Sequence, residues 1–116
     1  MKVKLCVLFF YLVISAESKG YSSRSVNASV LDITRCFSSE IQKNGYIMDF
    51  NDIKLPINAK EFSTYKMSQY SGSLWIESST EGRPTRETGI INANSQSYND
   101  LYNALLLCSE QLSSRS

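Results

Sequence analysis

The chain of 116 residues contains no histidine, a single tryptophan and only two prolines. Without histidine it has neither a Ser-His-Asp triad nor a Cys-His pair, because both depend on an imidazole base. A zinc site is also disfavoured, since zinc is held mainly by cysteine and histidine. The sequence therefore excludes the commonest forms of nucleophilic catalysis and predicts no bound metal.

Two further features of enzymes are poorly represented. The five glycines form no glycine-rich phosphate loop. The closest candidate pair of carboxylates, Asp49 and Asp52, has a spacing that would place both on one face of a helix, where acids are usually solvated. The same segment also lacks the complete ligand pattern of a calcium loop. We therefore expect a protein that is not an enzyme and that has no cofactor.

Basic and acidic residues are nearly balanced in number. When Lys2 and Lys4 are set aside with the first segment, the 12 basic residues become 10 against 11 acidic ones. The charged residues are scattered singly and form no run of like sign. A nucleic-acid-binding domain would show a basic excess, and a protein held on anionic membranes would carry a polybasic segment. Neither partner is expected.

The longest apolar run of the chain lies near its N-terminus. Two lysines precede a run from Leu5 to Ile14, and small residues suited to cleavage follow it. This is the pattern of a secretory signal peptide, and the run is shorter than the roughly 20 residues that cross a membrane. We expect residues 1–16 to be a signal peptide, 17–26 a flexible leader and 27–116 a single domain of a periplasmic or secreted protein.

The cysteines support the same compartment. Cys6 lies in the predicted signal peptide, which leaves Cys36 and Cys108 as one pair. An even pair in an exported protein predicts a disulfide bond. Because the bridge closes a loop of about 70 residues, the chain-entropy model gives it roughly 4 kcal/mol of stabilisation.

Two segments show apolar residues at helical spacing, 28–44 and 97–114. Their stripes consist of Val30, Ile33, Phe37 and Ile41 in the first segment and of Leu101, Leu105, Cys108 and Leu112 in the second. Asn27 or Ser29 is suited to cap the first helix, and Ser97 with Asp100 has the form of a capping box for the second. Both cysteines lie on or beside these stripes.

The segment between these helices is harder to interpret. A short helical turn is predicted near residues 49–54, and a longer helix over 58–79 begins with a capping-box-like pair of Asn58 and Glu61. A strand over 71–79 is the alternative for its second half, because Leu74 and Ile76 alternate with other residues. Together these assignments predict an all-α fold, a small bundle of about four helices stapled by one disulfide.

This layout resembles the periplasmic immunity proteins that protect bacteria from the amidase effectors of type VI secretion. The resemblance rests on the cleavable signal and on three segments: ITRCFSSEI, the aromatic-rich EFSTYKMSQYSGSLW, and LLLCSEQL. It implies a small all-helical domain, often a dimer, that blocks the cleft of a peptidoglycan-cleaving cysteine amidase. The partner implied is therefore a protein, the amidase, and a homodimer is a second expectation.

The stretch 78–97 is the candidate binding segment in this interpretation. It is predicted to be a long loop between two helices, and an inhibitor that acts by occlusion needs a projecting segment on a rigid base. Its charged and apolar residues are the predicted partner contacts: Glu81, Arg83, Arg86, Glu87, Ile90 and Ile91. The competing interpretation is a solvated connector whose isoleucines pack on the core.

Two alternatives from other classes are also open. A secreted carrier of small apolar ligands would line a pocket between helices with aromatic and aliphatic side chains. The residues available for this are Phe62, Tyr65, Tyr70, Leu74 and Trp75. An inhibitor of a different cell-wall hydrolase, such as lysozyme, would share the binding mode of an immunity protein and differ in its target.

Overall fold

The structure is a computed structural model that describes residues 22–114. The predicted signal peptide and the first part of the predicted leader lie outside the described residues. The elements in chain order are β1 (Ser22–Val26), α1 (Val30–Gln42), β2 (Ile47–Met48), β3 (Ile53–Leu55), β4 (Ala59–Met67), β5 (Tyr70–Glu77), β6 (Arg86–Ile91) and α2 (Ser95–Ser114).

The predicted all-α fold is wrong, because the six strands form one antiparallel sheet. Its order is β1-β6-β5-β4-β2, and β3 pairs with β4 beside β2. Both helices pack on the same face of this sheet, where their apolar stripes and the inward-facing strand residues form one core. The protein is therefore a two-layer α/β domain in place of a four-helix bundle.

The predicted middle helix over 58–79 is replaced by the hairpin of β4 and β5. Phe62 pairs with Leu74 across the two strands, and both side chains are buried. Their neighbours Ser63 and Trp75 have the opposite direction, because successive side chains of a strand alternate between faces. Ser68 and Gln69 form the two-residue turn. The strand alternative for 71–79 is confirmed over most of its length.

The other irregular segments also contain strands. The predicted helical turn at 49–54 is wrong, since β2 and β3 pair with β4 on either side of a short connection. The predicted loop 78–97 contains β6 and the first turn of α2, which leaves residues 78–85 and the short segment 92–94 as connections. The predicted leader is partly ordered, because β1 pairs with β6 along its whole length.

Both terminal helices are confirmed. Ser29 caps α1 by accepting a hydrogen bond from the Asp32 amide at 3.1 Å. The capping box predicted for α2 is wrong: the helix begins at Ser95, and the Asn94 side chain accepts from the Ser97 amide at 2.9 Å. Asp100 instead accepts a hydrogen bond from the Tyr46 hydroxyl at 2.9 Å.

The Cys36–Cys108 disulfide is confirmed, with the two Cα atoms 5.8 Å apart. It joins α1 to α2, and its Cys108 is 1% exposed within the core. The predicted stripes lie against the sheet, and Ile33, Phe37, Leu101 and Leu105 are all fully buried. The bridge therefore links two helices that are also held by shared packing.

Candidate functional site

The connection 78–85 and strand β6 divide the six predicted partner contacts between surface and interior. Glu81 and Arg83 are exposed in the connection, whereas Ile90 is fully buried in the core. Ile91 is half-buried and lies on the face of the sheet opposite the helices. Ile90 has no exposed surface to offer a partner, so the six residues do not form one projecting binding segment.

The arginines of this region are engaged within the chain. The Arg83 guanidinium forms an ion pair with Glu77. Arg86 donates from Nε to the Ala28 carbonyl at 2.9 Å and from a terminal nitrogen to the Glu77 carbonyl at 2.7 Å. Arg86 thus ties β6 to the start of α1 and to the end of β5, which is a structural role.

Glu77 and Glu87 lie side by side near this end of the sheet. The Glu77 carboxylate also accepts a hydrogen bond from the Glu87 amide at 3.0 Å, and Glu87 accepts one from the Ser25 hydroxyl at 2.6 Å. The hydrogen bond from Arg83, followed by that from the Glu87 amide, lowers the pKa of Glu77 below its ordinary 4.5. Glu77 is therefore held as a charged group that organises the strand ends.

The described residues show no arrangement suited to metal binding. Within 22–114, no group of three or more histidine, cysteine, aspartate or glutamate side chains is placed to hold an ion. The two acids considered above are used locally: Asp49 accepts from the Asn51 amide at 3.0 Å, and Asp52 forms an ion pair with Lys60 at 3.2 Å.

Within residues 22–114, no helix covers the face of the sheet opposite α1 and α2, which is here called the outer face. Its positions follow from the register, because each outer residue alternates with a residue of the core. The large or charged side chains at the strand positions of this face are those of Ile47, Ile53, Leu55, Glu61, Tyr65, Trp75, Glu77, Glu87 and Ile91. Serines occupy much of its centre, including Ser63 and Ser73, which pair directly.

One edge of the sheet exposes several apolar side chains: Ile47, Ile53 and Tyr65 take outer positions, whereas Met67 pairs with Tyr70 on the helix side and Phe50 and Ile57 lie in turns. We call this set the apolar edge: Ile47, Phe50, Ile53, Ile57, Tyr65 and Met67. Their side chains are between 49% and 69% exposed, and all belong to β2, β3, β4 and the turns between them. Isolated exposed apolar residues are ordinary, whereas several in one region mark an interaction surface.

Sequence reasoning missed this surface because it assigned the segment to helices. A signal was nevertheless present. The stretch from Tyr46 to Ile57 is rich in apolar residues. The two clear amphipathic helices can cover only one face of a sheet, so they cannot bury all of these side chains. As strands, alternate residues of the stretch must point to both faces, and none of the described helices covers one of those faces.

The carrier hypothesis does not fit the positions of its residues. Phe62 and Leu74 are packed in the core, whereas Tyr65 and Trp75 lie on the opposite side of the sheet. These side chains cannot line one pocket. A cleft of about 410 Å³ does lie between α1 and α2, but five of the seven residues around it are polar or charged, among them Asp32, Arg35 and Glu40.

Neither helix of the described part of the chain is both long and apolar enough to cross a membrane. Comparison with known proteins finds no family model, no curated protein and no solved structure that matches this chain. No immunity-protein family is therefore identified by similarity. The apolar edge is the feature of the described residues that points to a function.

Proposed function

We propose that this protein is exported and acts by binding another protein through the apolar edge. The observation that carries the proposal is the exposure of six large apolar side chains along one edge of the sheet, three of them at outer positions. Burying such surface is worth about 25 cal/mol per Å², and aromatic and aliphatic anchors of this kind dominate the energy of protein interfaces.

Export is supported by two observations that do not depend on each other. The first is the basic and apolar N-terminal pattern of the sequence. The second is the Cys36–Cys108 bridge, since structural disulfides persist mainly in oxidising compartments. Both agree with a protein that works in the periplasm or outside the cell.

The specific partner that we propose is a cell-wall amidase, which the protein would block as an immunity protein. Support comes from the export pattern and from the absence of histidine, which disfavours catalysis by the chain itself. The all-helical layout that the resemblance implies gives this target no support, because the protein contains a six-stranded sheet. The blocking contact is accordingly assigned to the apolar edge in place of the loop 78–97.

Calorimetric titration of the oxidised mature protein into a purified cell-wall amidase tests the proposal. An apolar-edge variant, Ile47→Thr with Ile53→Thr, keeps β-branched residues in the strands and removes exposed apolar surface. A helix-layer control, Leu31→Gln with Leu107→Gln, removes similar surface from the helices, where exposure is 54% and 47%.

We expect the wild type to bind the amidase tightly and to inhibit it. The apolar-edge variant should lose about thirtyfold or more in affinity, and the affinity of the helix-layer control should not change. Equal losses in both variants would refute the assignment of the binding surface. Binding to lysozyme with no binding to the amidase would keep the surface and change the target.

A further inference from the structure

The charged residues of the sheet are separated by sign. Every acid of the described strands, Glu61, Glu77 and Glu87, occupies an outer position. The strand bases Arg24, Lys54, Lys60 and Arg86 occupy the alternate positions, which point to the side of the helices. Lys66, at the β-bulge, lies 5.3 Å from the ring centroid of the buried Tyr46.

Two of the outer acids take part in none of the ion pairs among the described residues, although the charge of Arg83, which is paired with Glu77, also acts on Glu87. Glu61 accepts a hydrogen bond from the Asn92 side chain at 3.3 Å, and Glu87 accepts one from Ser25. Neutral donors of this kind leave the carboxylate charge in place and leave lone pairs available. Glu77 differs, because its charge is balanced by Arg83. The outer face thus combines apolar side chains at one edge with the carboxylates of Glu61 and Glu87.

We propose that the outer face binds a partner protein whose contact surface presents lysine or arginine side chains flanked by apolar ones. This inference deepens the proposed function and rests on it. The apolar edge supplies buried area, while Glu61 and Glu87 supply charge complementarity, which sets specificity and association rate more than affinity. Arginine fits such carboxylates particularly well, because its fork of donors pairs bidentately.

Other occupants match this surface less well. Nucleic acid and anionic lipid carry negative charge, which the outer acids repel. A second copy of the chain would bring two acidic faces together, and like charges placed directly opposite each other are destabilising. A cationic and apolar protein surface therefore complements both features of this face.

The test uses two synthetic probes that differ only in charge sign. Both are fluorescent peptides of about nine residues, a typical strand length, that alternate valine with lysine in one and with glutamate in the other. Fluorescence anisotropy against the oxidised mature protein compares wild type with Glu61→Gln/Glu87→Gln. These changes keep the hydrogen bonds and remove the charges. Glu40→Gln/Glu110→Gln removes the same charge from the helices.

We expect the lysine peptide to bind at least about tenfold more tightly than the glutamate peptide and to weaken steeply as salt is raised, because screening shortens the range of exposed charges. The Glu61/Glu87 variant should lose most of this preference, and the Ile47/Ile53 variant should lose affinity for the lysine peptide. Neither Leu31→Gln/Leu107→Gln nor Glu40→Gln/Glu110→Gln should change the preference for the lysine peptide or the affinity for it.

Equal binding of both peptides, or unchanged preference in the Glu61/Glu87 variant, would overturn the inference. Sedimentation velocity provides a second measurement: a dimer that dissociates in the Ile47/Ile53 variant would identify a second copy as the occupant and would also overturn it. The two proposals fail separately. Amidase binding without a charge preference refutes only this inference, whereas the preference without amidase binding refutes only the proposed target.

Discussion

Glu77 is the residue on which the end of the sheet depends. Its carboxylate accepts hydrogen bonds from Arg83 and from the Glu87 amide, and its backbone carbonyl accepts one from Arg86. One residue therefore joins the 78–85 connection, β5 and β6. The carboxylate performs this role only when it is ionised, because a protonated acid loses the ion pair and one acceptor.

Acid should weaken this end of the molecule through Glu77. Its pKa is lowered in the folded state, chiefly by Arg83 and then by the Glu87 amide, so its stabilising contribution is present above its ordinary 4.5 and is lost as pH falls through the folded-state pKa. The difference in melting temperature between wild type and Glu77→Gln should therefore shrink as the pH falls below 4.5. A gap between the two that stays constant from pH 7 to pH 3 would contradict this.

Tyr46 should respond at the opposite end of the pH scale. Burial raises the pKa of its hydroxyl above the ordinary 10.0, and the Asp100 carboxylate adds to this effect. The contribution is present below the ordinary value and is lost as pH rises through the folded-state pKa, because the folded state holds the proton more tightly than the unfolded state. Tyr46→Phe should reduce the loss of melting temperature above about pH 10. An unchanged alkaline profile would refute the assignment.

The disulfide gives a larger effect at the scale of single residues. Cys36 and Cys108 are separated by 72 positions, so their bridge should contribute about 4 kcal/mol by restricting the unfolded chain. Cys36→Ser with Cys108→Ser should lower the urea midpoint accordingly. Titration of the denatured, unreduced wild type should find no free thiol from this pair. Two titratable thiols, or equal midpoints, would contradict the prediction.

Among the elements, the helices were predictable because their signals are local. The stripe of α1 and that of α2 repeat over several turns, and each helix buries the face that its sequence indicates. The strands of the β4–β5 hairpin were misassigned because two-residue periodicity in Phe62, Thr64, Leu74 and Ile76 coincides partly with helical spacing. The two-residue turn at Ser68 and Gln69 also lacks the Asn-Gly or Asp-Gly signal that usually marks a hairpin.

Gly72 shows how closely the two layers approach each other. A side-chain carbon added at this position would lie 2.7 Å from Leu101 Cδ1 and 2.8 Å from Ala93 Cβ. Since buried overpacking typically costs about 1–3 kcal/mol, Gly72→Val should destabilise the fold despite the higher strand propensity of valine. Ser71→Val, at the exposed neighbouring position, is the control. Equal melting temperatures for the two variants would show that α2 has room to move.

At the scale of the whole molecule, the first strand completes the sheet. β1 pairs with β6 some 60 residues later in the sequence, and α2 packs against both. No local pattern encodes such a pairing, because it depends on which edge is left free once β4, β5 and β6 have paired. This is why Ser22–Val26 was assigned to a leader.

The candidate site was unpredictable for the same reason. An apolar segment is read as core unless the number of available covering layers is known, and that number is a property of the complete fold. Ile53 and Phe62 are both apolar, yet Ile53 is 54% exposed and Phe62 only 6%. The disulfide, by contrast, followed from composition and from two correctly placed helices.

Removal of β1 tests the closure of the sheet. Val26 is 1% exposed, and burying such a side chain contributes about 1.5–3 kcal/mol, to which the loss of the β1–β6 ladder is added. For a domain of this size a loss of 2 kcal/mol lowers the melting temperature by roughly 10 °C. A chain that starts at residue 27 should therefore melt at least about 10 °C below one that starts at residue 17. It should also associate more readily, because it leaves β6 as an unprotected edge.

A Val26→Ala variant of the longer chain separates the two effects: it should lose part of the stability and remain monomeric. If the truncated chain melts with the longer one and stays monomeric, β1 is dispensable and the sheet is complete without it.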